Sequence, residues 1–323
     1  MRRTHGGPDA GGAAAFDFST NANACGPCPQ ALAAVQAADA TRYPDPTYQA
    51  LRERLAARHG VAPARIVVAA SASEAIFRLT ARAAQRGLRR VALPAHAYGD
   101  YAQAAQAWGL APDDGKGEGA LLRWQCDPSS PLGQADPPGP AGLRVLDRAY
   151  APLRLDGADP WDGTALEGVW QLWSPNKALG LTGVRAAYLV APDGAQDEAA
   201  TLERLAPSWP LGAHGVALLQ AWCEPGVAQW LAQSLPTLRA WKALQRDLCA
   251  SFGWTCLPSQ ANFFCAQVPG DGLAALLRRL RLAGIKLRDA ASFGLPGHVR
   301  LGVLPPQSQV ALAAAMRAGG TMD

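Results

Sequence analysis

The pattern of apolar and polar positions predicts strands that alternate with helices over the first 200 residues. Helical spacing over residues 48–59 ends at Gly60, and a short β-rich run follows over residues 66–69. Ser71 and Glu74 have the spacing of a capping box, so the next helix should begin in the turn 70–73 and continue to about Gln85. Further strands are expected over residues 90–93, 121–125, 143–146, 169–173 and 185–190, with a helix over 99–108. This alternation indicates an α/β domain with a largely parallel sheet.

The pattern changes after residue 195. Helices are expected over residues 196–205, 215–223, 227–252, 273–283 and from Gln307, and strands over 262–268, 285–287 and 299–303. This is an α+β arrangement, whereas the proline-rich stretch 127–140 should be a loop. We therefore predict a large α/β domain over residues 40–215 and a smaller α+β domain formed by residues 1–39 and 216–323.

The bulk composition narrows the class of protein. A chain of 323 residues can bury a large core. The net charge of +4 is mild and the arginines are scattered, so we do not expect a nucleic-acid partner. No apolar run approaches the length of a membrane span, and residues 1–15 lack the hydrophobic core of a signal peptide. A cytoplasmic protein that does not bind membranes is the default expectation.

The seven cysteines are odd in number and unevenly spaced, which favours free thiols over a disulfide framework. Cys25 and Cys28 match the two-cysteine frame of thioredoxin-like redox proteins, and that alternative remains open. The segment before Cys25 is rich in Asn and Ala, which is unlike the strand that such a motif should follow. No second closely spaced pair exists to complete a zinc site, so no metal is expected.

Lys177 is one of four lysines in a chain that takes most of its positive charge from arginine. It lies between an apolar run (168–173) and a glycine-punctuated loop that ends at Arg185. A desolvated lysine amine can lose its proton and attack a carbonyl, whereas arginine stays protonated. Lys177 is therefore a candidate for Schiff-base chemistry, with a surface lysine in a loop as the alternative.

Several motifs together resemble one enzyme family. They are His5-Gly6-Gly7, Asp17-Phe18-Ser19-Thr20-Asn21-Ala22-Asn23, Arg42-Tyr43-Pro44-Asp45 and the Lys177 segment. In order and spacing they resemble the aminotransferase-like pyridoxal-phosphate (PLP) enzymes, specifically histidinol-phosphate aminotransferase and threonine-phosphate decarboxylase. The resemblance covers nearly the whole chain. It implies PLP fold type I, with a large domain around a mostly parallel sheet and a smaller α+β domain.

The resemblance also assigns roles around the cofactor ring. Lys177 would bond covalently to the cofactor, and Asp147 would face the pyridine nitrogen and keep the ring protonated. Tyr150 would donate its phenol to the ring oxygen, and Tyr98 would stack on the ring. From the residues alone, Asp147 would be read as the cap of a strand end, and Tyr98 as a half-buried aromatic.

The cofactor phosphate needs several donors, because a dianion in a partly dry site must be neutralised and hydrogen-bonded. The resemblance supplies the amides of Ala72 and Ser73, the hydroxyl of Ser174 and the guanidinium of Arg185. Tyr43 would reach across from a second subunit, which implies a homodimer.

Substrate contacts follow in the same way. Arg300 would bind the substrate's carboxylate or phosphate with its planar fork. His5, Asn23 and Arg288 are further candidates. Ser130 stands where the family has an asparagine that bonds the ring oxygen, and a serine is shorter and donates one proton only.

The leading hypothesis is PLP-dependent decarboxylation of L-threonine O-3-phosphate, a lyase reaction of cobalamin biosynthesis. The alternative is an aminotransferase that acts on histidinol phosphate or a related amino acid. Both imply a small phosphorylated amino acid as the substrate. A non-catalytic relative that keeps the fold for binding is the rival of another class, motivated by Ser130.

Overall fold

A computed structural model of the chain describes residues 6–113, 121–140 and 142–318. The helices in these ranges are α1 (Pro29–Gln36), α2 (Gln49–His59), α3 (Ala72–Gln85), α4 (Gly99–Ala107), α5 (Gln196–Arg204), α6 (Ala213–Trp222), α7 (Pro225–Ser251), α8 (Leu273–Leu282) and α9 (Pro306–Arg317). The strands are β1 (Phe16–Asp17), β2 (Ile66–Ala69), β3 (Arg90–Ala92), β4 (Ala111–Pro112), β5 (Leu122–Cys126), β6 (Leu143–Asp147), β7 (Val169–Trp173), β8 (Ala187–Val190), β9 (Thr255–Cys256), β10 (Phe263–Gln267), β11 (Ile285–Lys286), β12 (Arg288–Asp289) and β13 (His298–Gly302).

A central sheet of seven described strands has the order β2-β8-β7-β6-β5-β3-β4. β8 runs antiparallel to both of its neighbours, and the remaining pairs are parallel. The predicted α/β class with a mostly parallel sheet is confirmed. β6 and β7 lie side by side, with Asp147 opposite Leu172. Because parallel strands end at the same edge of a sheet, Asp147 and the loop after Trp173 lie close together.

Helices cover both faces of this sheet, which explains the near-continuous apolar runs of its strands. On one face, α3, α4 and α5 pack against inward side chains such as Trp170 and Leu189. On the other, α1, α2, α6 and the start of α7 pack against Tyr188 and Val190. Successive residues of β8 thus serve opposite cores, as the two-residue period of a strand requires.

A second sheet is formed by the last third of the chain, in the order β12-β13-β10-β9, with antiparallel pairing. Its register sets Arg288 opposite Arg300. β1 pairs in parallel with β11, which ties residues 16–17 to this region. A separate core joins this sheet to α8, α9 and the end of α7. Because α7 contributes to two cores and α1 packs on α6, the domain boundaries at residues 39 and 215 stay a prediction.

The predicted capping of α3 is confirmed with one change of partner. Ser71 Oγ accepts a hydrogen bond of 3.1 Å from the Glu74 amide. The Glu74 carboxylate accepts in return from the Ala70 amide at 3.2 Å, one residue before the N-cap. The start of α3 therefore leaves the amides of Ala72 and Ser73 available to an outside acceptor.

The predicted strand over 285–287 is divided in the structure. β11 ends at Lys286 and β12 begins at Arg288, because the two pairs of residues bond to different sheets. Among the described helices, none is both long enough and apolar enough to cross a membrane.

Candidate active site

Lys177 lies in the turn that follows β7, and hydrogen bonds to its carbonyl fix its backbone. Its carbonyl accepts from the Asn23 amide at 2.8 Å and from the Gly180 amide at 3.2 Å. Gly180 has a φ of +68°, and a Cβ there would lie 3.0 Å from Gly26 Cα, so both positions need glycine. The half-buried side chain places its Nζ 5.2 Å from the centre of the Tyr150 ring. The loop thus holds one amine against an aromatic face.

The Cys25–Cys28 segment forms the underside of this loop. The Cys28 amide donates to the Leu179 carbonyl at 2.9 Å, and both cysteines are free thiols. Burial raises the pKa of the Cys25 thiol, which opposes the thiolate character that a redox site requires. The motif that suggested a thioredoxin-like frame therefore serves here to pack the lysine loop.

Asp147 ends β6 with a buried carboxylate at the same sheet edge. Its Oδ2 accepts from the Tyr101 hydroxyl at 2.7 Å, and its Oδ1 accepts from the Ala149 amide at 2.9 Å. Burial raises the pKa of this carboxyl, while the two hydrogen bonds and the charge of Lys177 oppose that rise. The bond to the Ala149 amide is the capping role that the sequence left open, and it is compatible with a second partner on the remaining lone pairs.

Two further tyrosines belong to the candidate site, Tyr98 at the start of α4 and Tyr150 after β6. Tyr98, the N-cap of α4, shares a 3.1 Å hydrogen bond with the Ser73 hydroxyl. Burial raises the pKa of the Tyr98 phenol, which therefore stays protonated. The hydroxyl of the buried Tyr150 accepts from Asn21 Nδ2 at 3.2 Å, and its ring meets Phe263 edge-on at 4.7 Å.

The predicted phosphate ligands share one region but differ in burial. Ala72 and Ser73 form the first turn of α3, where free amides favour an anion. Ser174 follows β7, and its buried Oγ has no hydrogen-bond partner among the described residues. Arg185 lies just before β8 with an exposed side chain. β2, which precedes α3, and β7, which precedes Ser174, flank β8 and end at the same edge of the sheet. The orphaned buried hydroxyl and the free amides at this edge fit phosphate oxygens.

Arg300 is buried on β13, and the recorded bonds of its guanidinium go to neutral acceptors. They are the Ser130 hydroxyl at 3.3 Å and the Ser19 carbonyl at 3.0 Å. Its Nε is buried without a partner among the described residues. Its guanidinium carbon is 5.7 Å from the Phe263 ring centre, and Phe263 in turn touches Tyr150. A buried cation with this environment is suited to an anionic substrate group.

Arg288 lies beside Arg300 across the strand pair. Its guanidinium carbon is 4.8 Å from the ring centre of Phe293, and that of Arg300 is 5.5 Å from the same ring. Burial, and then the neighbouring charge of Arg300, lowers the pKa of Arg288. Ser292 accepts one of its hydrogen bonds at 2.7 Å. The two arginines concentrate positive charge at one wall of the site.

Three predicted residues do not join this cluster. Asn23 is occupied by protein, since its Nδ2 donates to the Ala178 carbonyl and to Ser234 Oγ. These bonds brace the lysine loop and leave its predicted substrate contact without support. Tyr43 is 78% exposed and stacks on Trp209 at 4.5 Å. His5 lies outside the described residues.

Sequence reasoning missed Tyr101, Asn21 and Phe263 as parts of the site. Tyr101 could have been found, because it follows Tyr98 by three residues and so lies on the same side of α4. Asn21 lies within the N-terminal motif that carried the resemblance. Nothing in the local pattern distinguishes Phe263 from an ordinary core residue.

Comparison with known proteins identifies the family of the chain. The family model for aminotransferase class I and II matches residues 14–116 and 145–316. A histidinol-phosphate aminotransferase of Symbiobacterium thermophilum is 29% identical, over 93% of this chain and 89% of the relative. The chain therefore belongs to the class I and II aminotransferase family, and it is a PLP-dependent enzyme.

Solved structures show the same fold. Histidinol-phosphate aminotransferase of Sinorhizobium meliloti, solved with pyridoxal-5'-phosphate, superposes with a TM-score of 0.79 at 22% identity, covering 94% of this chain and 92% of that one. L-threonine-O-3-phosphate decarboxylase of Porphyromonas gingivalis superposes with a TM-score of 0.71 at 21% identity, covering 89% and 92%. The fold is thus common to aminotransferases and to a decarboxylase.

Proposed function

We propose that the protein is an aminotransferase that acts on histidinol phosphate or a closely related phosphorylated amino compound. The observation that carries the proposal is the buried Arg300, whose guanidinium donates to neutral acceptors and lies over Phe263, the ring that contacts Tyr150 and through it the Lys177 amine. Such a guanidinium is stabilised when a carboxylate or phosphate arrives. The curated relatives named histidinol-phosphate aminotransferase support the choice of substrate class.

The residues of the chain fit both the ring and the phosphate of PLP. When bound, PLP supplies an aldehyde that condenses with amines and a ring that takes up electrons. Lys177 would hold the cofactor and would accept and return a proton at the substrate's α-carbon. Asp147 would hold a proton on the pyridine nitrogen, and Tyr98 would cover the ring and exclude water. Ser174 and the start of α3 would bind the phosphate.

Arg300 decides the course of the reaction through the group that it binds. If it holds the substrate's carboxylate, the α-hydrogen would be the group that leaves, Lys177 would accept that proton, and transamination would result. If the arginines hold a phosphate instead, the carboxylate would be free to leave as carbon dioxide, and a proton would replace it at the α-carbon. The second outcome is the decarboxylation of L-threonine O-3-phosphate.

The decarboxylase is our second candidate for a specific reason. The Porphyromonas gingivalis decarboxylase shares the fold. The histidine-glycine-glycine start, His5-Gly6-Gly7, resembles the opening of the decarboxylase and favours this branch.

Two measurements test these proposals. Borohydride reduction of the PLP-loaded protein, followed by peptide mapping, should find a pyridoxyl mass on the Lys177 peptide. Its absence would favour a non-catalytic relative. The protein is then incubated with histidinol phosphate plus a 2-oxo acid, and separately with threonine phosphate. Amino transfer that requires the 2-oxo acid supports the aminotransferase, and carbon dioxide release without it supports the decarboxylase.

We further propose that the active form is a homodimer in which Tyr43 completes the site of the other subunit. Tyr43 is 78% exposed, yet its ring is fixed against Trp209, whose Nε1 donates to the Pro44 carbonyl at 3.1 Å. Trp209 also has a φ of +50°, which is unfavourable for a large side chain. A rigid aromatic pair that projects from the surface is suited to enter a partner's site.

A further inference from the structure

The first turn of α4 carries a second tyrosine that touches the site carboxylate. Tyr101 lies three residues after Tyr98, and its ring is fully buried. It stacks on Trp124 with ring centres 4.8 Å apart and planes at 10°, and it meets Tyr98 edge-on at 5.9 Å. These contacts fix the ring, so the direction of its hydroxyl is set by packing and not by solvent.

That hydroxyl is aimed at Asp147. It donates to Oδ2 at 2.7 Å, while the Ala149 amide donates to Oδ1 at 2.9 Å. The carboxylate is thus held at both oxygens, and its rotation about the side chain is blocked. A short bond from a fixed hydroxyl also stabilises the ionised form of a buried carboxyl group.

The titratable groups around Asp147 make this hydrogen bond important for its charge. The titratable groups that face Asp147 are Tyr101 on α4, Cys126 at the end of β5 and Lys177 after β7. Burial raises the pKa of the Cys126 thiol well above its usual range, so Cys126 stays neutral and adds no charge. Lys177 supplies a cation only while it is protonated. Tyr101 is therefore the side-chain donor to Asp147 that, like the Ala149 backbone amide, does not depend on the state of the lysine.

We propose that Tyr101 is a positioning residue that keeps Asp147 ionised and oriented, so that the pyridine nitrogen of the cofactor remains protonated. The inference rests on the cofactor role proposed above for Asp147. α4 then serves the ring twice, since Tyr98 at its N-cap covers the ring and Tyr101 one turn on fixes the carboxylate. The functional consequence is the capacity of the ring to take up electrons.

The test uses Tyr101→Phe, which keeps the ring and its stacking on Trp124 and removes only the hydroxyl. Both proteins are loaded with PLP labelled with ¹⁵N in the ring, and the chemical shift of that nitrogen is followed by NMR as the pH is raised. Loss of one hydrogen bond to the charged carboxylate should raise the proton affinity of Asp147 about tenfold or more, so that the shared proton moves towards the carboxyl and the ¹⁵N shift moves towards that of an unprotonated ring. The kcat should fall by about the same factor with KM nearly unchanged.

Tyr188→Phe is the matched control, because it removes a buried tyrosine hydroxyl from the opposite face of the same sheet. It should leave the ¹⁵N titration unchanged. Asp147→Asn marks the shift of a ring without its carboxylate partner. If Tyr101→Phe titrates like the wild type, the role of Tyr101 is overturned. If the wild-type protein forms no bond to PLP at Lys177, it is the proposed function that fails.

Discussion

The Ser174 hydroxyl is suited to bind a ligand. Its buried Oγ has no partner among the described residues, although buried hydroxyls normally have one. Ser174→Ala should weaken PLP binding by about tenfold or more, because a charge-assisted hydrogen bond contributes about 1.5–3 kcal/mol. The free energy of unfolding of the PLP-free protein should stay the same or rise slightly.

Fluorescence titration with PLP and urea unfolding of the PLP-free protein measure these two quantities. Ser251→Ala is the control, since that exposed serine donates only to the Leu248 carbonyl of its own helix. Equal PLP affinity in Ser174→Ala and wild type would remove Ser174 from the phosphate site.

His59 gives the protein a stability that depends on pH. Burial, and then the charges of Arg58 and Arg148, lower its pKa to about 4. As the pH falls from about 6.5 to about 4, His59 binds a proton in the unfolded chain but stays neutral in the folded chain. The free energy of unfolding should therefore fall with the pH across this window, by up to about 3 kcal/mol from this residue.

His59→Phe keeps an aromatic ring beside Trp173 and Tyr188 and removes the titration. Urea unfolding at pH values between 4 and 7 should show a weaker loss of stability in acid for the variant. Parallel curves for the two proteins would mean that His59 is protonated as readily in the native state as in the unfolded one.

At the scale of elements, the start of α3 has two functions that can be separated. Ser71→Ala removes the bond from the Glu74 amide and should lower the free energy of unfolding by about 1 kcal/mol. Ser73→Asp adds a negative charge in the first turn, which the helix dipole favours but a phosphate does not. It should leave stability nearly unchanged and weaken PLP binding at least about tenfold.

Urea unfolding and PLP titration of both variants make the comparison. Each variant is the control for the other, because one changes the cap and the other changes the charge at the same helix end. If Ser73→Asp binds PLP as tightly as the wild type, the phosphate does not lie at this helix.

The sequence predicted the long elements because their periodicity extends over whole turns or whole strands. α3 was expected to end at about Gln85 and does so, and β7 has the predicted bounds. β1, β4, β9 and β12 have two residues each, which is too short to show an alternating pattern. These short strands form because a partner strand offers hydrogen bonds, and the local sequence does not indicate that partner.

At the scale of the whole molecule, the candidate site combines segments that lie far apart in the chain. Tyr98, Asp147, Lys177 and Arg300 come from α4, β6, the loop after β7 and the second sheet. Resemblance to a family placed them in one pocket, whereas spacing could not, because no short-range period links them. The bond between Tyr101 and Asp147 depends on the packing of α4 against the sheet, which only the folded structure shows.

The proposal that Tyr43 completes the site of the other subunit can be tested by mixing two variants, each of which lacks one essential side chain. Lys177→Ala lacks the amine, and Tyr43→Ala lacks the side chain proposed to reach the partner. If Tyr43 acts across the interface, a mixed dimer contains one fully wild-type site, made of Lys177 from the Tyr43→Ala subunit and Tyr43 from the Lys177→Ala subunit. The other site carries both defects.

Random reassociation of equal amounts makes half of the dimers mixed, and each has one intact site of two. The mixture should therefore recover about a quarter of the wild-type activity. Each variant alone, taken through the same mild denaturation and refolding, is the control. If Tyr43 served its own subunit, no mixed dimer would contain an intact site. Activity would then stay at the mean of the two variants, because Lys177 and Tyr43 would never meet in one pocket.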